Sequence, residues 1–407
     1  MEPRLFQTSL RIACLASIVL MPMGRAHADA YDNWQPCQVT TGAFAFLGVA
    51  YGNGRYVAVG QYEGDVGIVQ TSDDGLHWTK RTPSGGDTFL FFLDLFDVTF
   101  GNNVFVAVGW DWFGGANIYH STNGIAWTPH TTAIGNINRV IFGDDKFVAV
   151  GDGQLLQSSQ MTNYNIYTSP DGSNWTPQNC GAPDDDVHSL FDVAYGDGRF
   201  VAVDGQGYFY TSTNGAHWTR TFDGREQGRI SFCNGLFFAA AGAGTNLVST
   251  DGLAWSTLTN GTGNAFQRVI FAGGSYVALS RSGLFTSRDG TNWVQRSLLP
   301  APDVTLTAVA HGRDRLLVVG AVGLLSNVSP AAYVSDPSVA LEINRTFPPE
   351  LKVSGLVGQS YQIDYLDSLV SNSWRTLTSF SLSNSPSLWT DFDATNSAGY
   401  YRAVLLP

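Results

Sequence analysis

The sequence predicts an all-β protein, a seven-bladed β-propeller followed by a small β-sandwich, and three observations support this fold class. The chain of 407 residues has 45 Gly and 13% aromatic residues. Only 14% of its residues are charged, whereas about 25% is usual in soluble domains. A motif recurs along the chain, and each repeat contains four short apolar segments between turns. Four strands in each repeat of about 40 residues are typical of a propeller blade.

Residues 1–28 have the pattern of a secretory signal peptide. Arg4 and Arg11 precede an apolar run over 12–23, and Ala26-His27-Ala28 is a small-x-small cleavage site. We therefore expect a secreted, periplasmic or cell-surface protein whose mature chain begins near Asp29. The later sequence contains no apolar stretch of the 18 or more residues that a membrane span needs.

The clearest motif is Ser-x-Asp/Asn-Gly-x-x-Trp, which we call the box. It occurs six times, as SDDGLHW (72–78), STNGIAW (121–127), SPDGSNW (169–175), STNGAHW (212–218), STDGLAW (249–255) and SRDGTNW (287–293). We expect the Asp or Asn side chain to accept hydrogen bonds from turn amides, the Gly to adopt a positive φ and the Trp to pack between blades. This structural role requires no ligand.

A second motif precedes each box and has a seventh copy at 309–320. It consists of an apolar strand, a Gly/Asn/Asp turn and an aromatic-Val-Ala-Val strand. Each unit therefore divides into four strands, a to d, with the box joining c to d. The seventh unit lacks a box; we expect its strand c at 323–327, and its strand d at 33–36 near the N-terminus. This arrangement predicts seven blades over residues 29–334, with a ring closed by the N-terminal strand.

The box resembles the Asp-box, or BNR repeat, of sialidase-like propellers and related binding propellers. Six copies in register, over about three quarters of the chain, carry this resemblance. It implies the propeller fold, and it says little about function because propellers host many activities. The chain lacks the Arg-Ile-Pro segment of sialidases.

The sequence after the propeller predicts a second, smaller unit. Ser335-Asp336-Pro337 has the character of a linker, and residues 338–407 alternate apolar and polar positions in five or six short runs. This pattern favours a small β-sandwich. It resembles the short C-terminal modules of large secreted bacterial proteins, and it contains no catalytic constellation.

The loops opposite the boxes are long in units one to three, which predicts a binding surface there. Their aromatic and acidic residues could stack on a sugar ring and accept hydrogen bonds from its hydroxyls. The alternative is that the aromatic side chains cover a blade edge and that the acidic residues form solvated loops. The candidates are Tyr62, Glu63, Asp65, Trp110, Asp111, Trp112, Phe113, Asp184, Asp185, Asp186 and His188.

A second candidate site is formed by the residue that opens strand a in each unit. We call these residues the channel ring; in order they are Gly48, Asp97, Arg139, Asp192, Arg229, Arg268 and Ala308. Three guanidinium groups could clamp an anion, as the arginine triad does in the sialidases that the box resembles. The alternative is ion pairing between units, with Asp97 and Asp192 each beside Arg139 and with Arg268 or Arg229 supplying a small surplus.

These observations favour a secreted, non-enzymatic propeller that binds a glycan or a protein partner through the long loops. The alternatives are a sialidase-like glycoside hydrolase, for which Glu63, Asp65 and Asp111 could supply two carboxylates, and a structural module of the cell envelope. The net charge of −12 excludes nucleic acid and anionic lipid as partners. We predict no cofactor, no metal site and a monomer; after signal cleavage three cysteines remain, which allows one disulfide at most.

Overall fold

The structure is a computed structural model, and every regular element in its described part is a β-strand. Among these residues there is no helix long and apolar enough to cross a membrane. The described residues are 34–37, 43–62, 66–81, 93–111, 118–130, 136–152, 165–182, 188–222, 229–242, 244–281, 283–296, 304–312, 315–322, 332–335, 340–344, 350–354, 360–366, 375–381, 387–390 and 400–405. The predicted signal peptide, residues 1–28, lies outside them.

Repeat units two to six each form an antiparallel sheet of four consecutive strands. Unit two consists of β6 (Leu93–Gly101), β7 (Val104–Asp111), β8 (Ile118–Ser121) and β9 (Thr128–His130). Unit three has β10 (Ile137–Gly143), β11 (Lys146–Gly151), β12 (Ile166–Ser169) and β13 (Thr176–Gln178), and unit four has β14 (Leu190–Gly196), β15 (Arg199–Asp204), β16 (Tyr208–Ser212) and β17 (Thr219–Phe222). Unit five has β18 (Ile230–Cys233), β19 (Leu236–Ala240), β20 (Thr245–Ser249) and β21 (Ser256–Thr259), and unit six has β22 (Arg268–Ala272), β23 (Ser275–Ser280), β24 (Gly283–Ser287) and β25 (Val294–Arg296).

Units one and seven together form a single sheet of eight strands. Unit one supplies β2 (Ala43–Gly52), β3 (Arg55–Tyr62), β4 (Val66–Ser72) and β5 (Thr79–Arg81). Unit seven supplies β26 (Val304–Gly312), β27 (Arg315–Val322) and β28 (Ala332–Ser335), and β1 (Trp34–Pro36) pairs with β28 so that Trp34 lies opposite Ser335. The two halves join where β2 pairs with β27, at Ala45 and Ala321.

The prediction of a seven-bladed propeller is therefore wrong. Counted as hydrogen-bonded sheets, the described residues form six blades, because ring closure brings β2 beside β27 and merges the first and last repeat units into one sheet. The predicted position of the third strand of unit seven is also wrong: the strand lies at Ala332–Ser335, and the predicted residues, 323–327, fall outside the described part of the chain. Ser335 consequently belongs to a strand rather than to the predicted linker.

The core lies between neighbouring units. The first strand of every unit contacts the first strands of both adjoining units, so these strands surround the centre of the propeller. The Val-Ala-Val segments of the second strands are fully buried because each packs against the next sheet. The cluster of units two and three shows this, with Val106 and Val108 packed on Ile137 and Val140. Burial of such side chains stabilises by about 1.5–3 kcal/mol each.

The six box turns have one common hydrogen-bond pattern. In the unit-five box, Ser249 Oγ accepts from the amide of Gly252, and Asp251 Oδ1 accepts from the amides of Leu253 and Ala254. The Gly has a positive φ in every box. In five of them the Trp Nε1 donates to the carbonyl of that Gly, as Trp127 does to Gly124 at 3.0 Å. The predicted role of the box as a turn and packing element is therefore visible in the hydrogen bonds.

The residues after Ser335 form two antiparallel sheets of three strands. One contains β29 (Ala340–Asn344), β30 (Glu350–Ser354) and β33 (Ser387–Thr390). The other contains β31 (Ser360–Leu366), β32 (Arg375–Ser381) and β34 (Tyr400–Leu405). The six described strands agree with the five or six expected, while the domain boundaries stay a prediction.

Candidate binding site at the mouth of the central channel

An irregularity in the first strand of five units directs side chains into the centre. The pairing register shifts immediately before the channel-ring residue in units one, two, three, four and seven, between Phe46 and Gly48, Leu95 and Asp97, Ile137 and Arg139, Leu190 and Asp192, and Leu306 and Ala308. A β-bulge of this kind inserts one residue and re-aims its neighbours. The inserted residues are Leu47, Phe96, Asn138, Phe191 and Thr307.

These inserted residues line a cavity of about 420 Å³. It opens at the end of the propeller where the first strands begin, which is the end predicted to carry the long loops. Its wall combines aromatic, amide and cationic groups, and the ring of Phe191 is 41% exposed. The lining residues are Leu47, Phe96, Asn138, Arg139, Phe191, Arg229, Gln267 and Thr307.

Arg139 is the paired cation of the channel ring. Its Nη1 lies 3.0 Å from Asp97 Oδ1 and its Nε lies 3.2 Å from Asp192 Oδ1, with all three side chains at most 10% exposed. Burial alone would lower the pKa of Arg139, but the charges of Asp97 and Asp192 raise it above its ordinary value. Arg139 therefore stays charged and holds both carboxylates.

The remaining carboxylate oxygens accept hydrogen bonds from the backbone of the next unit. Asp97 Oδ2 accepts from the amide of Val140 at 3.2 Å, and Asp192 Oδ2 accepts from the amide of Ile230 at 3.1 Å. Both carboxylates are thus saturated by Arg139 and by structural amides. Both aspartates pair with Arg139, and neither forms an ion pair with Arg229 or Arg268.

Arg229 and Arg268 form no ion pair with any carboxylate of the described residues. The charge of Arg139 and then burial lower the pKa of Arg229 to about 10, and the charge of Arg268 adds to this effect. Burial and then the charge of Arg139 lower the pKa of Arg268. The buried Nε of Arg268 has no hydrogen-bond partner. Unsatisfied buried donors are rare in native proteins, so this one is a candidate to meet a ligand.

The described site candidates do not all lie at the cavity. Arg139 and Arg229 both line the cavity, and Arg268 is near enough for its charge to lower the pKa of Arg229, but Arg268 is not itself a lining residue. His188 lies elsewhere: its ring stacks on Tyr208 with centroids 5.9 Å apart, and the Arg220 guanidinium covers the same Tyr ring at 4.1 Å. Trp110 is half-buried at the end of β7.

The other predicted loop residues cannot be placed in the site. Tyr62 and Asp111 end strands β3 and β7, but their side chains lie outside the described part of the chain. The remaining candidates lie outside it entirely: Glu63, Asp65, Trp112, Phe113, Asp184, Asp185 and Asp186. Among the described residues, no three His, Cys, Asp or Glu side chains are grouped to hold a metal ion.

Sequence reasoning missed the inserted residues, which include Phe96, Asn138 and Phe191 of the cavity wall. The signal that could have found them is positional. Each stands one residue before a channel-ring residue, next to the point where the alternation of buried and exposed positions breaks, as in Leu190-Phe191-Asp192-Val193 with its buried, exposed, buried, buried pattern. A strict two-residue period would have placed such residues on a packed face.

Comparisons with known proteins bear on the fold alone. Neither a protein-family model nor a curated protein matches the chain. Among solved structures, YCF48 from Cyanidioschyzon merolae is 17% identical, with a TM-score of 0.54 over 75% of this chain and 98% of its own. A structure of YCF48 bound to D1 peptide has 17% identity and a TM-score of 0.55 over 75% and 97% of the two chains. The WD40 β-propeller domain of Doa1 has 12% identity and a TM-score of 0.53 with the same coverage. These likenesses show that about three quarters of this chain is a β-propeller.

Proposed function

We propose that this protein is a secreted, non-enzymatic propeller that binds a protein partner, and that an acidic group of the partner enters the channel mouth. The observation that carries the proposal is that Arg229 and Arg268 are cationic and form no ion pair with a carboxylate of the described residues, while Arg229 lines the cavity and the buried Nε of Arg268 lacks a hydrogen-bond partner. Together with Arg139 and the two aspartates they leave one surplus positive charge in a chain whose net charge is −12.

A carboxylate is the anion that this wall suits best. A guanidinium presents a planar fork of donors that matches the two oxygens of a carboxylate. Asn138 and Gln267 add amide donors, while Phe96 and Phe191 offer apolar surface to the residue that carries the acid. Hydrogen bonds to charged groups contribute about 1.5–3 kcal/mol each, enough to make such a side chain the anchor of an interface.

The position of the cavity supports a macromolecular partner. The cavity opens at the end of the propeller where the long loops of units one to three are expected, so a peptide seated there would also reach those loops. Among the similar propellers, one is described as YCF48 bound to D1 peptide. That likeness is consistent with peptide binding by this fold, and the proposal for this chain rests on its own arginines.

Hydrolysis has weaker support at this site. A glycosidase needs two carboxylates free to act as acid and as base or nucleophile. Asp97 and Asp192, the channel-ring carboxylates, are both held by Arg139 and by backbone amides. A neutral glycan would leave the unpaired arginines unsatisfied, so we favour an acidic polypeptide over a neutral sugar.

Two finer assignments belong to the same proposal. The shared hydrogen bonds of the six box turns support membership of the Asp-box propellers. The charge and apolar pattern of residues 1–28 supports export. We propose both, and protein sequencing of the mature N-terminus after expression with the leader tests the second.

Selection of peptides tests the proposed function. Residues 29–407 would be immobilised and used to select from a phage library of random heptapeptides, in parallel with an array of neutral and acidic glycans. We expect enriched peptides that carry Asp or Glu beside an apolar residue. Their affinity, measured by fluorescence anisotropy, should fall about tenfold or more in Arg229→Gln, which corresponds to about 1.4 kcal/mol.

A matched variant separates the site from general electrostatics. Arg288 is exposed in the unit-six box, at the opposite end of the propeller, so Arg288→Gln removes the same charge elsewhere. Equal loss of affinity in both variants would reject the channel mouth as the site. Binding of acidic glycans without any peptide enrichment would reject the protein partner and make the glycan the ligand.

A further inference from the structure

A glycine and an aromatic ring interlock at five of the boundaries between repeat units. The first strand of one unit ends in Gly, and the ring of the next unit occupies the space of its missing side chain. A Cβ on Gly196, for example, would overlap the ring carbons of Phe232. The five pairs are Gly312 with Tyr51, Gly52 with Phe100, Gly101 with Phe142, Gly143 with Tyr195 and Gly196 with Phe232.

The interlock is missing on both sides of unit six. The equivalent residue is Cys233 at the end of unit five and Ala272 at the end of unit six. In the five interlocked pairs the ring comes from the next unit. The equivalent ring is therefore Phe271 for Cys233 and His311 for Ala272. Phe271 is 38% exposed, and His311 is exposed as well. Consistently, the first strands of units six and seven approach each other over a shorter stretch than those of any other adjoining units.

The opposite end of the boundary between units five and six carries like charges. Arg229 precedes the first strand of unit five and Arg268 opens that of unit six, and the charge of Arg268 helps to lower the pKa of Arg229. The charges of Asp192 and Asp97 oppose this effect, but neither carboxylate forms an ion pair with Arg229 or Arg268 among the described residues, so the two like charges still repel each other. This boundary therefore lacks an interlock at one end of its inner strands and has repulsion at the other.

We propose that unit six, residues 268–296, is a seam at which the propeller opens locally, and that an anion bridging Arg229 and Arg268 closes it. The second half of this inference rests on the proposed function. Buried clusters around Val269 and Val277 still join unit six to both neighbours, so the opening is a fluctuation of the native state rather than a permanent gap. Ligand binding and seam closure are then linked, because each favours the other.

The buried thiols of the protein report on this opening. Cys233 lies at the proposed seam and Cys180 lies in the cluster that joins units three and four; both are free. Burial raises the pKa of both thiols, that of Cys233 to about 12, so neither reacts while the structure is closed. Native protein would be exposed to iodoacetamide, and labelling of each cysteine followed by mass spectrometry of its peptide.

We expect Cys233 to be labelled about tenfold or more faster than Cys180. Arg229→Gln removes the repulsion and should slow the labelling of Cys233 severalfold with no ligand present. Arg288→Gln should leave the rate unchanged. Equal rates for the two thiols, or no effect of Arg229→Gln, would overturn the seam. Hydrogen exchange of the backbone amides of β22 and β23 provides a second measurement. Cys233→Gly introduces the residue that the five interlocked boundaries have at this position and should slow that exchange.

Sulfate tests the link to the anion site. Labelling in sulfate and in chloride at equal ionic strength separates anion bridging from screening. Slower labelling of Cys233 in sulfate, lost in Arg268→Gln, supports the coupling. If Arg229→Gln slows the labelling of Cys233 and sulfate does not, local opening at unit six is supported and its closure by an anion is rejected. The peptide selection tests the proposed function independently of this result.

Discussion

Arg139 and Asp192 join units three and four through a buried ion pair, with Nε 3.2 Å from Oδ1 and side chains 4% and 2% exposed. The same guanidinium also holds Asp97 of unit two. Three neighbouring units are therefore connected at the channel ring by one arginine. Because Arg139 holds both carboxylates, Arg229 and Arg268 have no ion-pair partner among the acidic residues that the structure describes.

Replacing Arg139 should destabilise the propeller strongly. Arg139→Met leaves Asp97 and Asp192 buried without a cation, and removal of one partner from a buried pair costs about 3–5 kcal/mol. Urea unfolding measures the change in free energy. Asp73→Ala is the control, because the pair of Arg55 and Asp73 is exposed and such pairs contribute about 1 kcal/mol or less. Similar losses in the two variants would contradict the role given to Arg139.

The box turns should tolerate Asn but not Ala at their acidic position. Asp251 Oδ1 accepts from two backbone amides, and Asn123 and Asn214 do the same in other boxes. Asp251→Asn should therefore change the free energy of unfolding little, whereas Asp251→Ala should cost about 1 kcal/mol. Thermal unfolding compares the two, and an equal loss in both would show that the charge rather than the acceptor matters.

Two stacked histidines should make the protein sensitive to mild acid. His120 Nδ1 and His130 Nε2 are hydrogen-bond partners, with ring centroids 4.6 Å apart. Burial lowers the pKa of both below 6.5, and for His130 the charge of His120 adds to this. The unfolded chain then binds more protons than the folded one below pH 6.5. Stability should be complete above that value and fall as the pH drops towards the folded pKa.

Unfolding measured between pH 7 and 5 checks this expectation. His130→Gln should reduce the decline, whereas His217→Gln, at an exposed histidine of the unit-four box, should leave it unchanged. A decline that is identical in all three proteins would assign the acid sensitivity to other groups.

The aromatic residues of the innermost strands should differ in energetic weight. Phe232 fills the space above Gly196, while Phe271 is 38% exposed beside Ala272. Phe232→Ala should cost about 2 kcal/mol or more through the cavity it leaves. Phe271→Ala should cost about 1 kcal/mol or less, since little buried surface is lost. Calorimetry measures the loss of unfolding free energy in each variant. Equal losses would contradict this prediction and would show that the boundaries at unit six are packed like the others.

Much of the fold could be predicted because the same sequence motifs recur in each repeat unit. The box sets the turn between strands c and d through local hydrogen bonds, so six copies give six units before any long-range contact is known. The union of units one and seven could not be predicted in this way. It depends on where β2 meets β27 when the ring closes, at Ala45 and Ala321, which are 276 positions apart in the sequence.

The candidate site was predictable only in part. Arg139, Arg229 and Arg268 could be grouped because each stands at the start of the first strand of its unit. Equivalent positions of the repeat units surround the same central axis. Which arginine forms the ion pairs with the aspartates depends on side-chain geometry, and Arg139 forms both of them. The bulges that turn Phe96 and Phe191 into the cavity show only as a break in the two-residue alternation, so a strict alternation places both rings on a packed face.

A double-mutant cycle between the protein and one selected acidic peptide tests the central claim most directly. The dissociation constant would be measured for the peptide and its Glu→Gln or Asp→Asn counterpart, on wild type and on Arg268→Gln. A carboxylate seated at the channel mouth predicts a coupling free energy of about 1 kcal/mol or more, because either change removes the same contact. Strictly additive losses, with the peptide acid as important on Arg268→Gln as on wild type, would contradict the account.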